Sequence, residues 1–239
     1  TATDAAGNTS SDLGAAELRV ELTAPVVPTV VTQVTSDTTP TLNGTATLAA
    51  GESLTVIVNG ATYNNVPVVG GNWSLDTGTA AISSGALGPF VDGTVYQVEA
   101  RVTDAAGNQS VDTSTGELTI DLTAPTAPTV NSQVTSDTTP VITGTATVGA
   151  GETFSVVVNG KTYTPGDGRL VLTGSDWTLS NPTVNILANG TYNVVASIDD
   201  GAGNISTDAS NGELVIRSEE HTYELQSHHD LVRRLLLGS

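Results

Sequence analysis

Residues 21–40 read ELTAPVVPTVVTQVTSDTTP and residues 121–140 read DLTAPTAPTVNSQVTSDTTP, nearly the same text 100 positions apart (121 − 21). Internal repetition on this scale constrains the fold more than any other feature of the chain, because each copy must bury its own core. Thr3-Asp4-Ala5-Ala6-Gly7-Asn8 returns as Thr103-Asp104-Ala105-Ala106-Gly107-Asn108, Asn59-Gly60 as Asn159-Gly160, and Tyr63 as Tyr163. Trp73 matches Trp177, and Gly116-Glu117-Leu118 matches Gly212-Glu213-Leu214, at spacings that depart from 100, so loops of unequal length separate the fixed points. The expected organisation is a C-terminal remnant of a preceding repeat over 1–22, repeats over 23–122 and 123–216, and a tail over 217–239. The chain opens in mid-motif and reads as an excerpt of a longer protein. One strand cannot bury a sandwich face without partners, so 1–22 is not expected to be stable alone.

The repeats read as strands. Thr and Val are abundant, and Gly, Asn, Asp and Pro punctuate them. The pattern predicts an edge strand over 26–35 interrupted by Pro28, a turn over 36–40, and a strand over 41–48. A hairpin turning at Asn59-Gly60 follows, then a short strand around Trp73. A half-buried strand alternates over 95–103, a long loop covers 104–116, and a last strand runs over 117–122. About seven strands per unit fit an all-β fold of tandem immunoglobulin-like β-sandwich repeats in an extended array.

Several functions are disfavoured. Residues 1–216 contain no His and the whole chain no Cys, which removes His-based triads, thiolate nucleophiles and zinc-thiolate sites, so no enzyme is expected. A net charge of −18 argues against nucleic acid and anionic membranes as partners. No apolar run approaches the length of a membrane span. Trp73 and Trp177 occupy equivalent positions, where a core role outweighs carbohydrate stacking. Sequons such as Asn72-Trp73-Ser74 occur but carry little weight.

The acids are the informative residues. In an immunoglobulin-like topology the chain enters a repeat at one pole, beside the loop between the second and third strands and the loop before the last strand. That arrangement brings together Asp121, Glu152, Asp199 and Asp200 at one junction, and Glu21, Glu52 and Asp104 at the earlier one. Carboxylates gathered without basic partners repel, and a hard cation relieves the repulsion. Ca²⁺ takes six to eight oxygen ligands, and extracellular modules bind it at about 10⁻⁴–10⁻³ M. Asp37 and Asp137 fit a turn-capping role better. The linkers Thr23-Ala24-Pro25 and Thr123-Ala124-Pro125, with Pro28 and Pro128, favour extended backbone and add stiffness. The partners expected are therefore neighbouring repeats of the same chain.

These motifs resemble the bacterial immunoglobulin-like repeats of giant surface adhesins, many of them of RTX type. The resemblance rests on Asp121-Leu122-Thr123-Ala124-Pro125, Ser36-Asp37-Thr38-Thr39-Pro40, Gly44-Thr45-Ala46, Val58-Asn59-Gly60, Gly71-Asn72-Trp73, Asp92-Gly93-Thr94-Val95-Tyr96 and Thr103-Asp104-Ala105-Ala106-Gly107-Asn108, and it covers 1–216. It implies an extracellular, cell-surface spacer, stiffened by interdomain Ca²⁺, that supports cell adhesion or biofilm formation. Contacts to a host or surface glycan or protein would be made through other regions. Glu21 in place of the linker Asp, and Asp199-Asp200-Gly201 where the first repeat has Thr103-Asp104-Ala105, depart from the pattern. The competing readings are a repeat that itself binds glycan or protein, with the divergent loop 164–176 as its best candidate, and an accessory domain of a secreted enzyme. The tail, Arg-Ser-Glu-Glu-His-Thr onward from 217, can be drawn as an amphipathic helix. It more closely resembles the translation of a short-read sequencing adapter, which would make His221, His228 and His229 meaningless as ligands.

Overall fold

The computed structural model describes residues 1–11, 20–180 and 185–218. The chain divides into two compact units, Thr1–Leu122 and Thr123–Ser239. Expectations for the tail beyond Ser218, including its three histidines, lie outside the described residues, as does the middle of the 1–22 segment.

In the first unit Asn59 and Gly60 take φ values of 44° and 87°, the left-handed pair that a tight two-residue hairpin requires. Ser53–Val58 therefore turns directly into Ala61–Asn64, with Val58 opposite Ala61. On its other side Ser53–Val58 pairs antiparallel with Val98–Thr103, from Val98↔Val58 to Thr103↔Ser53. The period-two pattern puts Leu54, Val56, Val58, Val98, Ala100 and Val102 on one face, and all are buried. Facing them are Thr41–Thr45 and Asn72–Asp76, which pair Gly44 with Trp73 and Leu42 with Leu75. A three-stranded ribbon of Val95–Tyr96, Leu118–Ile120 and Gln33–Thr35 adds Leu118 and Ile120 to the same core.

The second unit repeats this plan. Thr153–Val158 lies between Lys161–Tyr163 and Val194–Asp199, Val141–Thr145 lies against Asp176–Ser180, and Gln133–Thr135 pairs with Leu214–Ile216. Its core gathers Ile142, Phe154, Trp177, Leu179 and Leu214, with the Phe154 and Trp177 ring centroids 5.9 Å apart. Each unit is an all-β, immunoglobulin-like sandwich.

The structure corrects three strand expectations. The segment 26–35 is not one edge strand: Thr29–Val30 pairs antiparallel with Thr41–Thr45, then the chain crosses and Gln33–Thr35 pairs parallel with Leu118–Ile120. The strand expected over 95–103 also changes sheets, at Gln97, because Val95–Tyr96 joins the ribbon and Val98–Thr103 the facing sheet. At that corner the Val98 N–H donates to Glu117 Oε2 at 2.9 Å, so a buried side-chain carboxylate serves where a ladder carbonyl would. Glu213 does the same for Val194. Third, the loop 104–116 contains a short strand, Gln109–Val111, paired with Arg101–Thr103.

A candidate cation-binding pole

The linker is part of each module. Pro25 and Pro28 are buried, as are Pro125 and Pro128. Ser110 Oγ donates to the Pro25 carbonyl at 2.7 Å, and Ser206 Oγ to the Pro125 carbonyl at 2.7 Å. The prolines thus act by packing as well as by restricting φ, and each linker is fastened by a serine of the strand that follows the Asp-Ala-Ala-Gly-Asn or Asp-Gly-Ala-Gly-Asn loop.

That loop is built by its own acid. Asp104 Oδ1 accepts the Ala106 and Asn108 amides at 2.9 and 2.8 Å, and Oδ2 accepts Asn108 Nδ2 at 2.8 Å. Asp4 and Asp200 close the same loop with Ala6 and Asn8, and with Ala202 and Asn204. All three carboxyls are held below the usual carboxylate range. For Asp4 and Asp104 the main cause is the asparagine side chain. For Asp200, burial works upward but is outweighed by Asn204 and the loop amides. Asn108 Nδ2 also donates to the Glu21 carbonyl at 3.1 Å and so ties the incoming chain to the loop.

Glu21, Glu52 and Asp104 line a single recess of about 640 Å³, with Thr23, Ala24 and Ala105 completing its wall. Glu52 Oε2 accepts the Ala49 amide at 2.8 Å and Glu21 Oε1 the Thr23 amide at 2.8 Å. Among the described residues, no basic side chain lines the recess. Among the described residues no three Asp, Glu, His or Cys side chains approach closely enough to form a metal-holding group. In the second unit, Glu152 and Asp200 stand one residue beyond the paired Thr153↔Asp199, at the same end of one sheet. Asp199 Oδ1 accepts the Gly201 amide and Glu152 Oε2 the Gly149 amide. Asp121 closes the first unit, where its N–H donates to the Thr35 carbonyl at 3.0 Å. Asp37 and Asp137 accept the amide and hydroxyl of Thr39 and Thr139 and cap their turns as expected.

Sequence reasoning missed Asn108, Asn204, Ser110 and Ser206. Their recurrence at a fixed distance after the loop Asp was the available signal.

No protein-family model matches the chain and no curated protein matches it. Solved structures do. One, from work on host cell surface retention of a 1.5-MDa bacterial ice-binding adhesin, is 22% identical over 82% of this chain and 67% of its own, with a TM-score of 0.38. Murine CEACAM1b is 14% identical over 80% of this chain and 99% of its own, with a TM-score of 0.39. The titin I-band fragment I67–I69 is 11% identical over 80% and 63%, with a TM-score of 0.36. No helix among the described residues is long and apolar enough to cross a membrane.

Proposed function

We propose that the chain is part of the spacer region of a bacterial surface adhesin, in which successive sandwich repeats are braced by calcium at their N-terminal poles. The observation that carries this reading is the single recess lined by Glu21, Glu52 and Asp104, at the point where the linker enters the module. The near-identical linkers of the two repeats, and the resemblance of their motifs to adhesin repeats, support the spacer role. The same residue types recur as Asp121, Glu152, Asp199 and Asp200 for the second pole. Calcium, a hard cation that takes six to eight oxygen ligands, would supply charge neutralisation there. The chain's own residues already contribute the frame, because the serine and asparagine bonds hold linker and loop in place without it. Such a protein works outside the cell, at the bacterial surface, in cell adhesion or biofilm formation.

The test is thermal unfolding of the full chain in millimolar calcium and in chelator. Glu52→Gln and Glu21→Gln keep an acceptor for the Ala49 and Thr23 amides while removing charge, so they separate cation binding from loop building. Calcium is expected to raise the transition of the parent protein and to raise it less in the double variant. An unfolding curve that calcium does not move would overturn the reading and leave the acids as solvated surface.

A further inference from the structure

Asn-Gly is the dipeptide at which a chain most readily modifies itself, because glycine lacks the Cβ that would keep its nitrogen from the asparagine side chain. The chain has five such pairs, beginning at Asn43, Asn59, Asn159, Asn189 and Asn211. Four are restrained. Asn43 lies inside the strand Thr41–Thr45, where Gly44 pairs with Trp73. Asn59 Nδ2 donates to the Gly88 carbonyl at 2.8 Å, Asn159 Nδ2 to Asn185 Oδ1 at 3.2 Å and Asn189 Nδ2 to Ser218 Oγ at 2.7 Å. Asn211 differs. It is exposed, it lies between the strands Ile205–Thr207 and Leu214–Ile216, and its side chain has no hydrogen-bond partner among the described residues. Its neighbours are held: Ser210 Oγ donates to Asp208 Oδ2, and the Gly212 N–H donates to Asn193 Oδ1 at 3.1 Å. The first repeat has Thr115 at this place, two residues before Glu117 as Asn211 is two before Glu213.

We infer that Asn211 is a self-modification site, that it deamidates ahead of every other asparagine in the chain, and that Asn193 sets the rate. The Gly212 nitrogen attacks Asn211 Cγ. A C–N bond forms, the Cγ–Nδ2 bond breaks, and ammonia leaves with the Gly212 proton. Water then opens the succinimide at either carbonyl and gives aspartate or isoaspartate. One water enters and one ammonia leaves, so the step needs no oxidant or reductant. The Gly212 nitrogen can attack only once its bond to Asn193 has opened, so that bond is a brake. Isoaspartate adds a methylene to the main chain at 211, just ahead of Glu213. Glu213 is buried and held twice: Oε2 accepts the Val194 amide at 2.9 Å, and its carbonyl accepts the Gln133 amide at 2.7 Å. The extra atom therefore acts on the corner where the chain changes sheets and on the parallel ladder of the second repeat. Thr115 spares the first repeat. Two modules of nearly the same sequence thus differ in chemical lifetime. None of these residues belongs to the acidic pole, so the inference does not rest on the calcium reading.

The experiment incubates the full chain in warm, mildly alkaline buffer and maps its peptides by mass. Asn211 should be the first asparagine to gain one mass unit, with part of the product labelled by an isoaspartyl methyltransferase. Asn211→Thr should abolish the reaction at this position and leave unfolding unchanged. Asn193→Ala should speed it about two- to tenfold, the worth of one hydrogen bond expressed as a rate. Asn193→Gln should keep the slow rate, because Gln97 of the first repeat accepts the Gly116 amide at 3.1 Å in the same way. A blocked peptide of residues 209–214 has no brake and should react faster than the folded chain, a comparison that stands even if the alanine variant does not fold. In the reacted protein the Val194 and Gln133 amides should exchange hydrogen faster, and those of Val98 and Gln33 should not change. Earlier deamidation at any of the other four pairs overturns the site. A free peptide that reacts no faster than the folded chain overturns the brake. Unchanged exchange at Val194 and Gln133 overturns the structural consequence.

Discussion

Gly144→Ala tests how the sandwich is closed. A Cβ at Gly144 would sit 2.0 Å from the Thr129 carbonyl oxygen and 2.6 Å from the Trp177 ring. The same ring donates Nε1–H to that carbonyl at 3.0 Å, so glycine lets an indole lie flat across the strand while reaching its acceptor. Gly144 does not have a positive φ, so the cost is one of space and not of backbone strain. Forcing the ring aside costs about 1–3 kcal/mol as overpacking, and losing its hydrogen bond about 0.5–1.5 kcal/mol. Against this, alanine restricts the unfolded chain and returns about 0.5–1 kcal/mol. The midpoints of these ranges balance at a loss of about 2 kcal/mol, which at a typical denaturant slope of about 2 kcal/mol/M moves the urea midpoint down by about 1 M. Gly190→Ala is the matched control. It also lies in a strand without positive φ, but its Cβ would meet nothing nearer than the Tyr192 ring at 3.8 Å. It should be neutral or stabilising. Urea unfolding followed by tryptophan fluorescence reads both. A Gly144→Ala midpoint equal to that of the parent or of the control would refute the argument from space.

Two further outcomes follow from side-chain partners. The Tyr63 hydroxyl is buried without a hydrogen-bond partner among the described residues and burial raises its pKa, whereas the Tyr163 hydroxyl accepts Asn185 Nδ2 at 3.1 Å. Tyr63→Phe should therefore leave stability unchanged or raise it by about 1 kcal/mol, and Tyr163→Phe should lower it by about 1 kcal/mol, as read by thermal unfolding. Asp104 is held below its unfolded pKa by Asn108, so it contributes stability above the ordinary aspartate range, and that contribution is lost as pH falls through the lower folded value. Urea midpoints measured from about pH 5 down to about pH 3 should fall less steeply for Asp104→Asn than for the parent protein. Identical slopes would mean the loop does not depend on that carboxylate.

Much of the sandwich is legible in the residues. Asn59-Gly60 announced a tight hairpin, the alternation through Val98, Ala100 and Val102 marked a one-sided strand, and the matched tryptophans marked the core. The sheet changes were not legible, because alternation runs on unbroken from Tyr96 to Val98 and only the hydrogen-bond partners change. The decisive partner, Glu117, lies 19 positions on and looks like any surface acid until its burial is known. Gly44 stood out as a motif residue, but its reason, and that of Gly144, an indole pressed against the backbone, needs the cross-strand register. At the pole, Glu21, Glu52 and Asp104 were placed by topology. The bonds of Asn108 to Glu21 and of Ser110 to Pro25 escaped notice because they span 87 and 85 positions and leave no local periodicity.

The parallel pairing of Gln33–Thr35 with Leu118–Ile120, repeated by Gln133–Thr135 with Leu214–Ile216, has a mechanical meaning. In each module these are the second short strand of the incoming chain and the strand nearest the outgoing chain, side by side and pointing the same way. Tension applied through the two ends drags them in opposite directions along their common axis. The load is then shared across the whole short ladder at once, in shear, and no bond can be peeled from its neighbours first. A module with this geometry resists pulling by the height of its unfolding barrier more than by its equilibrium stability.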